Sequence, residues 1–285
     1  MARINGINKA VPRGIDKLTG SIYGAHPNQQ VQDLMLMNDL NHHQQAEHFG
    51  NVADVAVVSG TAAAVTTPGG FRLFGQGLAE SADSGMVVTA GLDGQRMSTT
   101  NEDAHTIAIG SNVFLQPDTH GPFTFSALFQ FVNQITTTAA FIGFCGTASD
   151  ALDPRVTGAT TVLTLVDDDV AGLFFDSQLT DGDRWMVPHN KSNAAATIAT
   201  TAAGVDTGKN VVLATYTLAT VTVDKSGNLA WSLSDSTGNK SGGIAGALDA
   251  DEEHAAVFYV ESAGTAAIRD VDVYAVSLDY YHSLS

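Results

Sequence analysis

The sequence predicts a mainly β protein: a two-sheet antiparallel sandwich preceded by an extended N-terminal arm and one helix. Only six of the 30 acidic residues are Glu, and Asp favours turns whereas Glu favours helices. The 28 glycines and the many Thr and Val residues also favour strands and tight turns. From about residue 52, roughly a dozen strand-like runs alternate with turn signals, a number that suits two packed sheets.

The amino-acid composition limits the classes of partner that the protein is expected to bind. The chain has 285 residues, of which 44% are hydrophobic, so it can bury a large core. Acidic residues outnumber basic ones 30 to 13, and the net charge is -17. We therefore predict neither a nucleic-acid partner, which requires basic phosphate contacts, nor an anionic membrane. The first residues lack the apolar segment of a signal peptide, so we expect synthesis in the cytoplasm.

An arm is predicted at the N-terminus because the charge changes along the chain. Residues 1–50 contain four basic and four acidic residues, so the whole net charge of -17 falls in residues 51–285. The first 20 residues hold four basic residues and one acidic residue, with Gly and Pro and no apolar periodicity. This pattern is typical of an extended arm. Its basic residues are Arg3, Lys9, Arg13 and Lys17.

A helix is predicted at about 28–48. Pro27 suits the first helical position, and Gly50 suits the end. The apolar residues include Leu34, Met37 and Leu40, and their face is wide enough to require a packing partner. We therefore divide the chain into an arm-and-helix region, 1–50, and a sandwich body, 51–285. Residues 52–119 are expected to supply the first strands of the sandwich, with a separate small domain as the alternative.

The strands are expected between turns such as those at 69–70, 93–94 and 117–121. The predicted strands are 86–89, 106–109, 123–132, 139–145, 160–166, 171–175, 184–187, 197–201, 211–223, 229–233, 256–261 and 267–278.

Two of these predictions rest on clear alternation of apolar residues. Val221 and Val223 on one side of the turn at 224–228, and Leu229 and Trp231 on the other, predict a hairpin with one apolar face. In the last strand, Asp270 and Asp272 alternate with valines, which predicts one solvated face.

From about 120 to 281 the order of elements resembles a concanavalin-A-like jelly-roll sandwich. The segments that carry the resemblance are Phe123–Phe131, Phe141–Cys145, Gly172–Asp176, the hairpin Asp224–Trp231 and the strand Arg269–Tyr274. Among proteins of this fold, the chain is most similar to virion structural proteins of tailed phages, in the capsid decoration or cement class.

The resemblance implies a non-enzymatic protein on the capsid surface of a virion, made in the host cytoplasm. Its partners would be the major capsid protein and further copies of itself in a homotrimer. The expected contacts are the arm residues Arg3, Lys9, Arg13 and Lys17 and the helix residues Leu34, Met37 and Leu40. The alternative is a lectin-like or receptor-binding, carbohydrate-binding module on a virion fibre or spike.

The spacing of the acidic residues argues against a catalytic role. Endoglucanases of the same fold family use Glu-x-Asp-x-x-Glu on one strand, and this sequence has no such triplet. Glu252 and Glu253 are adjacent and would point opposite ways in a strand, and Glu261 is isolated. Asp270 and Asp272 share a face without a Glu partner, so we expect a solvated strand edge there.

We predict no metal and no other cofactor. Residues 167–169 and 181–183 are rich in Asp but lack the spacing of an EF-hand loop, so turn formation is favoured over Ca²⁺ binding. His43 and Glu47 share a helix face without a second His. The histidines at the predicted helix end would favour the helix dipole, with a pH-dependent partner contact as the alternative.

Three further side chains are assigned from their neighbours. Cys145 follows Phe144 in an apolar run and is expected to be buried rather than reactive. Trp231 alternates with leucines and is expected in the core. Trp185 is flanked by polar residues, which makes it the candidate glycan contact, with ordinary packing as the alternative.

Overall fold

The computed structural model describes residues 42–49, 65–67, 69–75, 85–87, 92–132, 134–146, 155–166, 169–191 and 194–281. The predicted arm and the first part of the predicted helix therefore lie outside the described residues. Backbone contacts divide the chain into one unit of Met1–His43 with His282–Ser285 and a second unit of Gln44–Tyr281.

Twenty strands and one short helix make up the described structure. The first ten strands are β1 (His42–His48), β2 (Val65–Thr66), β3 (Arg72–Phe74), β4 (Gly85–Val87), β5 (Gln95–Ser98), β6 (Thr106–Gly110), β7 (Phe123–Phe131), β8 (Thr138–Cys145), β9 (Val156–Ala159) and β10 (Val162–Leu165). The others are β11 (Asp169–Asp176), β12 (Arg184–Met186), β13 (His189–Lys191), β14 (Ala196–Ala199), β15 (Asp206–Asn210), β16 (Thr217–Val223), β17 (Leu229–Asp235), β18 (Gly238–Ile244), β19 (Ala255–Ser262) and β20 (Asp270–Tyr281). Helix α1 spans Pro117–His120.

The strands form three sheets. Sheet I has eight strands in the order β18-β17-β16-β7-β20-β5-β4, with β1 also paired to β20. Sheet II has nine strands in the order β15-β12-β11-β8-β19-β6-β3-β2, with β13 also paired to β11. Sheet III is the three-stranded β14-β10-β9. The predicted mainly β, two-sheet antiparallel sandwich is confirmed.

The core lies between sheets I and II and is rich in aromatic rings. The centroids of Phe129 and Phe258 are 4.9 Å apart, and those of Phe123 and Phe144 are 4.8 Å apart. These contacts join β7 of sheet I to β19 and β8 of sheet II. Alternate residues of β7 are buried, because successive side chains of a strand point to opposite faces.

The predicted hairpin is confirmed. Strand β16 pairs with β17 so that Val221 lies opposite Trp231 and Val223 lies opposite Leu229. The turn between them is held by Asp224, whose Oδ1 accepts the backbone N–H groups of Ser226 (2.8 Å) and Asn228 (3.1 Å). Asp224 thus forms the turn that the Asp and Gly pattern indicated.

The prediction that the helix extends to residue 48 is wrong. Residues 42–48 form strand β1, which pairs with β20. The Glu47 carboxylate accepts the backbone N–H of Gly69 at 2.5 Å, and Phe49 is buried in the core. Long-range strand pairing outweighs the local helical preference here. Residues 28–41 of the predicted helix are outside the described residues.

Several strands lacked a pattern that sequence analysis could recognise. Strand β18 reads Gly-Asn-Lys-Ser-Gly-Gly-Ile and is almost wholly exposed, and β5 and β15 are short and polar. Each is a strand because a neighbouring strand supplies its hydrogen bonds. Within the ranges given above, no helix has the length and apolar character needed to traverse a bilayer.

Candidate functional site: the outer face of sheet I

The two faces of the sandwich differ in accessibility. Strands β8, β11 and β19 at the centre of sheet II are buried along their whole length, on both faces. Sheet III lies against their outer face. The Tyr259 hydroxyl donates to the Val156 carbonyl (3.1 Å) and accepts the Val156 N–H (3.2 Å). Asp176 Oδ2 accepts the Gly158 N–H at 2.7 Å. The centre of this face is therefore closed to large ligands.

The outer face of sheet I is open to solvent. Because Phe125 and Phe129 of β7 point inward, the alternating residues Ser126 and Leu128 point outward. The pairing of β7 with β16 sets Leu128 beside Leu218 and Ser126 beside Thr220. Cross-strand rows of side chains therefore run over this face at fixed spacing.

One part of this face is an apolar groove, which we call the Leu218 groove. Leu218 is 44% exposed. The groove is lined by Ala46, His48, Leu128, Leu218, Ala275 and Val276, together with two serines. Leu128, Ala275 and Val276 adjoin Leu218, so the exposed apolar surface is contiguous, and a contiguous apolar surface is what marks a protein contact site.

The next rows are hydroxylated and satisfy one another. Thr124 and Thr222 are joined by a hydrogen bond of 2.9 Å, and Ser126 and Thr220 by one of 3.0 Å. Because these hydroxyls pair within the sheet, these rows present hydroxyl groups and no charge.

At the other end of the groove lies an aromatic pair. Tyr216, directly before β16, is 57% exposed, and its ring centroid is 4.8 Å from that of Tyr274 at an angle of 64°. The Tyr274 hydroxyl donates to Gln130 Oε1 at 3.0 Å. Burial, and then the nearby charge of Asp272, raise the pKa of Tyr274 to about 12. The phenol therefore stays protonated and keeps this donor role at neutral pH.

The aromatic pair adjoins an ion pair. Arg96 donates to Asp272 through Nε (2.8 Å) and Nη2 (3.1 Å), and this bidentate contact raises the pKa of Arg96. We call the set of Tyr216, Tyr274, Gln130, Arg96 and Asp272 the tyrosine patch. Its two charges cancel at short range.

The expectation of a solvated strand edge at Asp270 and Asp272 is wrong. Strand β20 lies between β7 and β5 rather than at an edge. Asp272 is buried against Arg96, and Asp270 accepts the Ser98 hydroxyl at 2.7 Å. The strand pattern correctly placed both residues on one face. Their partners on β5, Ser98 and Arg96, are 172 and 176 positions away in the sequence, so the local pattern could not indicate them.

The prediction that Trp185 is a glycan contact is also wrong. Trp185 is 1% exposed and points between the sheets, with ring centroids 6.1 Å from Phe129 and 5.9 Å from Phe175. Its polar neighbour Arg184 instead pairs with Asp206 at 2.7 Å. The expectations that Trp231 and Cys145 are buried are confirmed.

Of the remaining predicted positions, some lie outside the described residues and the others can be located in the structure. Those outside the described residues are Arg3, Lys9, Arg13, Lys17, Leu34, Met37 and Leu40. Of the Asp clusters, 167–168 is also outside. Asp183 lies in the turn at 181–183, and its carboxylate accepts a side-chain N–H of Asn210 at 2.5 Å, which links the start of β12 to the end of β15. No group of three or more His, Cys, Asp or Glu side chains suited to a metal occurs within the described part of the chain.

One pair of buried carboxyl groups corresponds to no pattern in the sequence. Asp176 of β11 and Glu261 of β19 lie opposite Ala139, one on each side of β8, and both are buried. Burial raises the pKa of Asp176 to about 6, while the N–H groups of Gln178 and Gly158 lower it. Burial, and then Asp176, raise the pKa of Glu261 well above its usual value. No sequence spacing reveals this pair, because a third strand separates its members.

Comparison with solved structures identifies the fold. A protein of unknown function from Shewanella oneidensis MR-1 matches with a TM-score of 0.53 and 10% identity, covering 92% of this chain and 96% of that one. Peanut lectin, in a complex with a nine-residue peptide, matches with a TM-score of 0.52 and 10% identity, covering 85% and 100%. No family model and no curated protein matches the sequence. The chain has a legume-lectin-like, concanavalin-A-like sandwich fold.

Proposed function

We propose that this protein is a non-enzymatic virion structural protein that decorates a phage capsid, and that the outer face of sheet I docks onto the major capsid protein. The observation that carries the proposal is the Leu218 groove, an exposed apolar surface on paired strands of a strongly acidic protein. Apolar, uncharged surface is what the centre of a protein interface requires.

The strand framework supports docking energetically. Burying a leucine side chain contributes about 1.5–3 kcal/mol before association costs. Leu128 and Leu218 are held by strands paired on both sides, so little conformational entropy is lost when a partner covers them. The same rigidity lets several weak contacts add up in a trimer on the shell, the arrangement that we propose.

The burial of the acidic pair supports a non-enzymatic role. Asp176 bonds sheet III through Gly158, and both Asp176 and Glu261 are buried, whereas a retaining glycosidase needs two carboxyl groups that reach the sugar ring. The structural role of Asp176 is to hold β9.

The arm has a complementary role in the proposal. Its basic residues would attract the protein to an acidic shell surface, while the body of net charge -17 keeps free copies apart. The proposed contacts are Arg3, Lys9, Arg13, Lys17, Leu34, Met37 and Leu40. The lectin-like alternative no longer has Trp185 as its contact, and the tyrosine patch is the surface that remains for it.

Co-sedimentation with shells assembled from the major capsid protein tests docking through the Leu218 groove. Leu218→Asp is expected to abolish co-sedimentation while leaving the melting temperature unchanged, because the side chain is already exposed. Val162→Asp is the matched control, since Val162 is 37% exposed on sheet III. Equal binding by Leu218→Asp and the wild-type protein would contradict the proposal.

The arm is tested separately in the full-length chain. Replacing Arg3, Lys9, Arg13 and Lys17 with Gln should weaken shell binding and flatten its dependence on salt, because exposed charges are screened by ions. If the variant binds with the salt dependence of the wild type, the arm residues do not contact the shell. The role of the groove is then decided by the Leu218→Asp experiment alone.

A further inference from the structure

We propose that the tyrosine patch is a binding site for a neutral saccharide. This inference goes beyond capsid docking, and it uses a different row of the sheet I face from the Leu218 groove. The patch combines an exposed aromatic ring, fixed polar groups beside it and a cation, Arg96, that is already paired with Asp272.

The aromatic pair supplies the stacking surface. Tyr216 is 57% exposed, and Tyr274 meets it at 64°. The Tyr274 ring braces the Tyr216 ring, so the exposed ring is held in place before any ligand arrives. A rigid aromatic face suits the apolar C–H face of a pyranose ring, and binding costs little side-chain entropy.

The polar groups of the patch have defined orientations. Gln130 Oε1 accepts the Tyr274 hydroxyl at 3.0 Å, which directs the Gln130 NH₂ group away from that bond. Arg96 uses Nε and Nη2 for Asp272, so Nη1 is the guanidinium nitrogen outside this pair. An amide and a guanidinium at the rim of an aromatic face can donate to sugar hydroxyls and ring oxygens.

Charge selects the class of saccharide. Asp272 neutralises Arg96 in a bidentate contact, so the patch presents no free cation to a sulfate, phosphate or sialic acid. The protein around it carries a net charge of -17, which repels anionic polymers. A neutral hexose or N-acetylhexosamine therefore fits the patch better than an acidic glycan.

A glycan array probed with the labelled full-length protein is the first experiment. We expect binding to neutral glycans, with weaker binding to their sulfated or sialylated forms. Tyr216→Ala should weaken the signal by about tenfold or more, the loss expected for one aromatic stacking contact. Tyr216→Phe should retain binding, because the ring rather than the hydroxyl forms the stacking surface.

Two controls separate this site from general adhesion and from docking. Phe114→Ala removes an aromatic side chain that is 41% exposed elsewhere on the surface, and it should bind glycans like the wild type. Leu218→Asp should likewise keep glycan binding. Absence of any neutral glycan signal, a preference for acidic glycans, or unchanged binding by Tyr216→Ala would each overturn the proposal. Loss of shell binding alone in Tyr216→Ala would assign the patch to a protein partner instead.

Discussion

Asp176 and Glu261 stand on opposite sides of Ala139 on the same face of sheet II, and the Asp176 carboxylate holds sheet III through the Gly158 N–H. Glu261 Oε2 is buried and has no hydrogen-bond partner within the described residues. Ionising both carboxyl groups costs free energy, because both are buried and the two negative charges repel each other. The pair therefore links stability to pH.

The first prediction concerns that linkage. The folded-state pKa values of both groups are raised, so their contribution favours folding at low pH and is lost as the pH rises through about 6, the pKa of Asp176. For Asp176 the loss is at most about 3 kcal/mol, from the shift of its pKa. Urea unfolding from about pH 5 to about pH 8 should show a smaller decline for Glu261→Gln than for the wild type. The exposed Glu252→Gln is the control, and an equal decline in all three proteins would refute the linkage.

The second prediction concerns the ion pair between the edges of sheets I and II. The Lys209 ammonium on β15 donates to Asp235 Oδ1 (2.5 Å), Thr237 Oγ1 (2.6 Å) and the Gly238 carbonyl (2.8 Å). Both charged side chains are nearly inaccessible. Lys209→Met should destabilise the fold by about 3 kcal/mol in chemical denaturation, because it leaves the Asp235 charge without its partner.

A double variant tests whether the Lys209 and Asp235 charges stabilise each other. Lys209→Met combined with Asp235→Leu should recover part of the lost stability, since no buried charge then lacks a partner. Additive losses in the double variant would show that the pair has no coupling energy.

The third prediction concerns Trp185, which we now assign to the core. Trp185→Ala should cost about 3–5 kcal/mol in the free energy of unfolding, because it empties the space between Phe129 and Phe175. Trp185→Phe should cost less, since a ring remains. A Trp185→Ala protein with wild-type stability would mean that the side chain is not packed as described.

The fourth prediction concerns the attachment of sheet III. Tyr259→Phe removes the hydroxyl that bonds both backbone groups of Val156, leaving them unpaired in a buried setting. We expect faster hydrogen exchange in β9 and β10 and a loss of about 2 kcal/mol in stability. Tyr216→Phe, at an exposed tyrosine, should leave exchange in these strands unchanged, and unchanged exchange in Tyr259→Phe would contradict the role assigned to its hydroxyl.

The fold was predictable from the sequence where alternation was regular. Strand β7 buries every second residue as its phenylalanines indicated, and the hairpin Val221–Trp231 has the expected pairing. The strand expected at 160–166 is shorter in the structure, where β10 pairs with β9 and residues 160–161 form the turn between them. Both turn residues are Thr, which favours strands, so the sequence did not mark this turn.

The candidate site was less predictable, because its residues meet across strands. Arg96 and Asp272 are 176 positions apart, and Tyr216 meets Tyr274 only because β16 and β20 both pair with β7. Trp185 was misassigned because its polar neighbours in sequence point to the opposite face of the strand. Strand order and register, which local patterns do not contain, decide all three cases.

The central claim, that the Leu218 groove is the docking surface, can be tested directly by thiol labelling. Cys145 is buried, so Leu218→Cys would provide an accessible thiol in the groove, and Val162→Cys would provide one on sheet III. We predict that a maleimide labels both variants in free solution, and that binding to capsid shells protects Leu218→Cys but not Val162→Cys. Equal labelling of Leu218→Cys on shells and in solution would contradict the account.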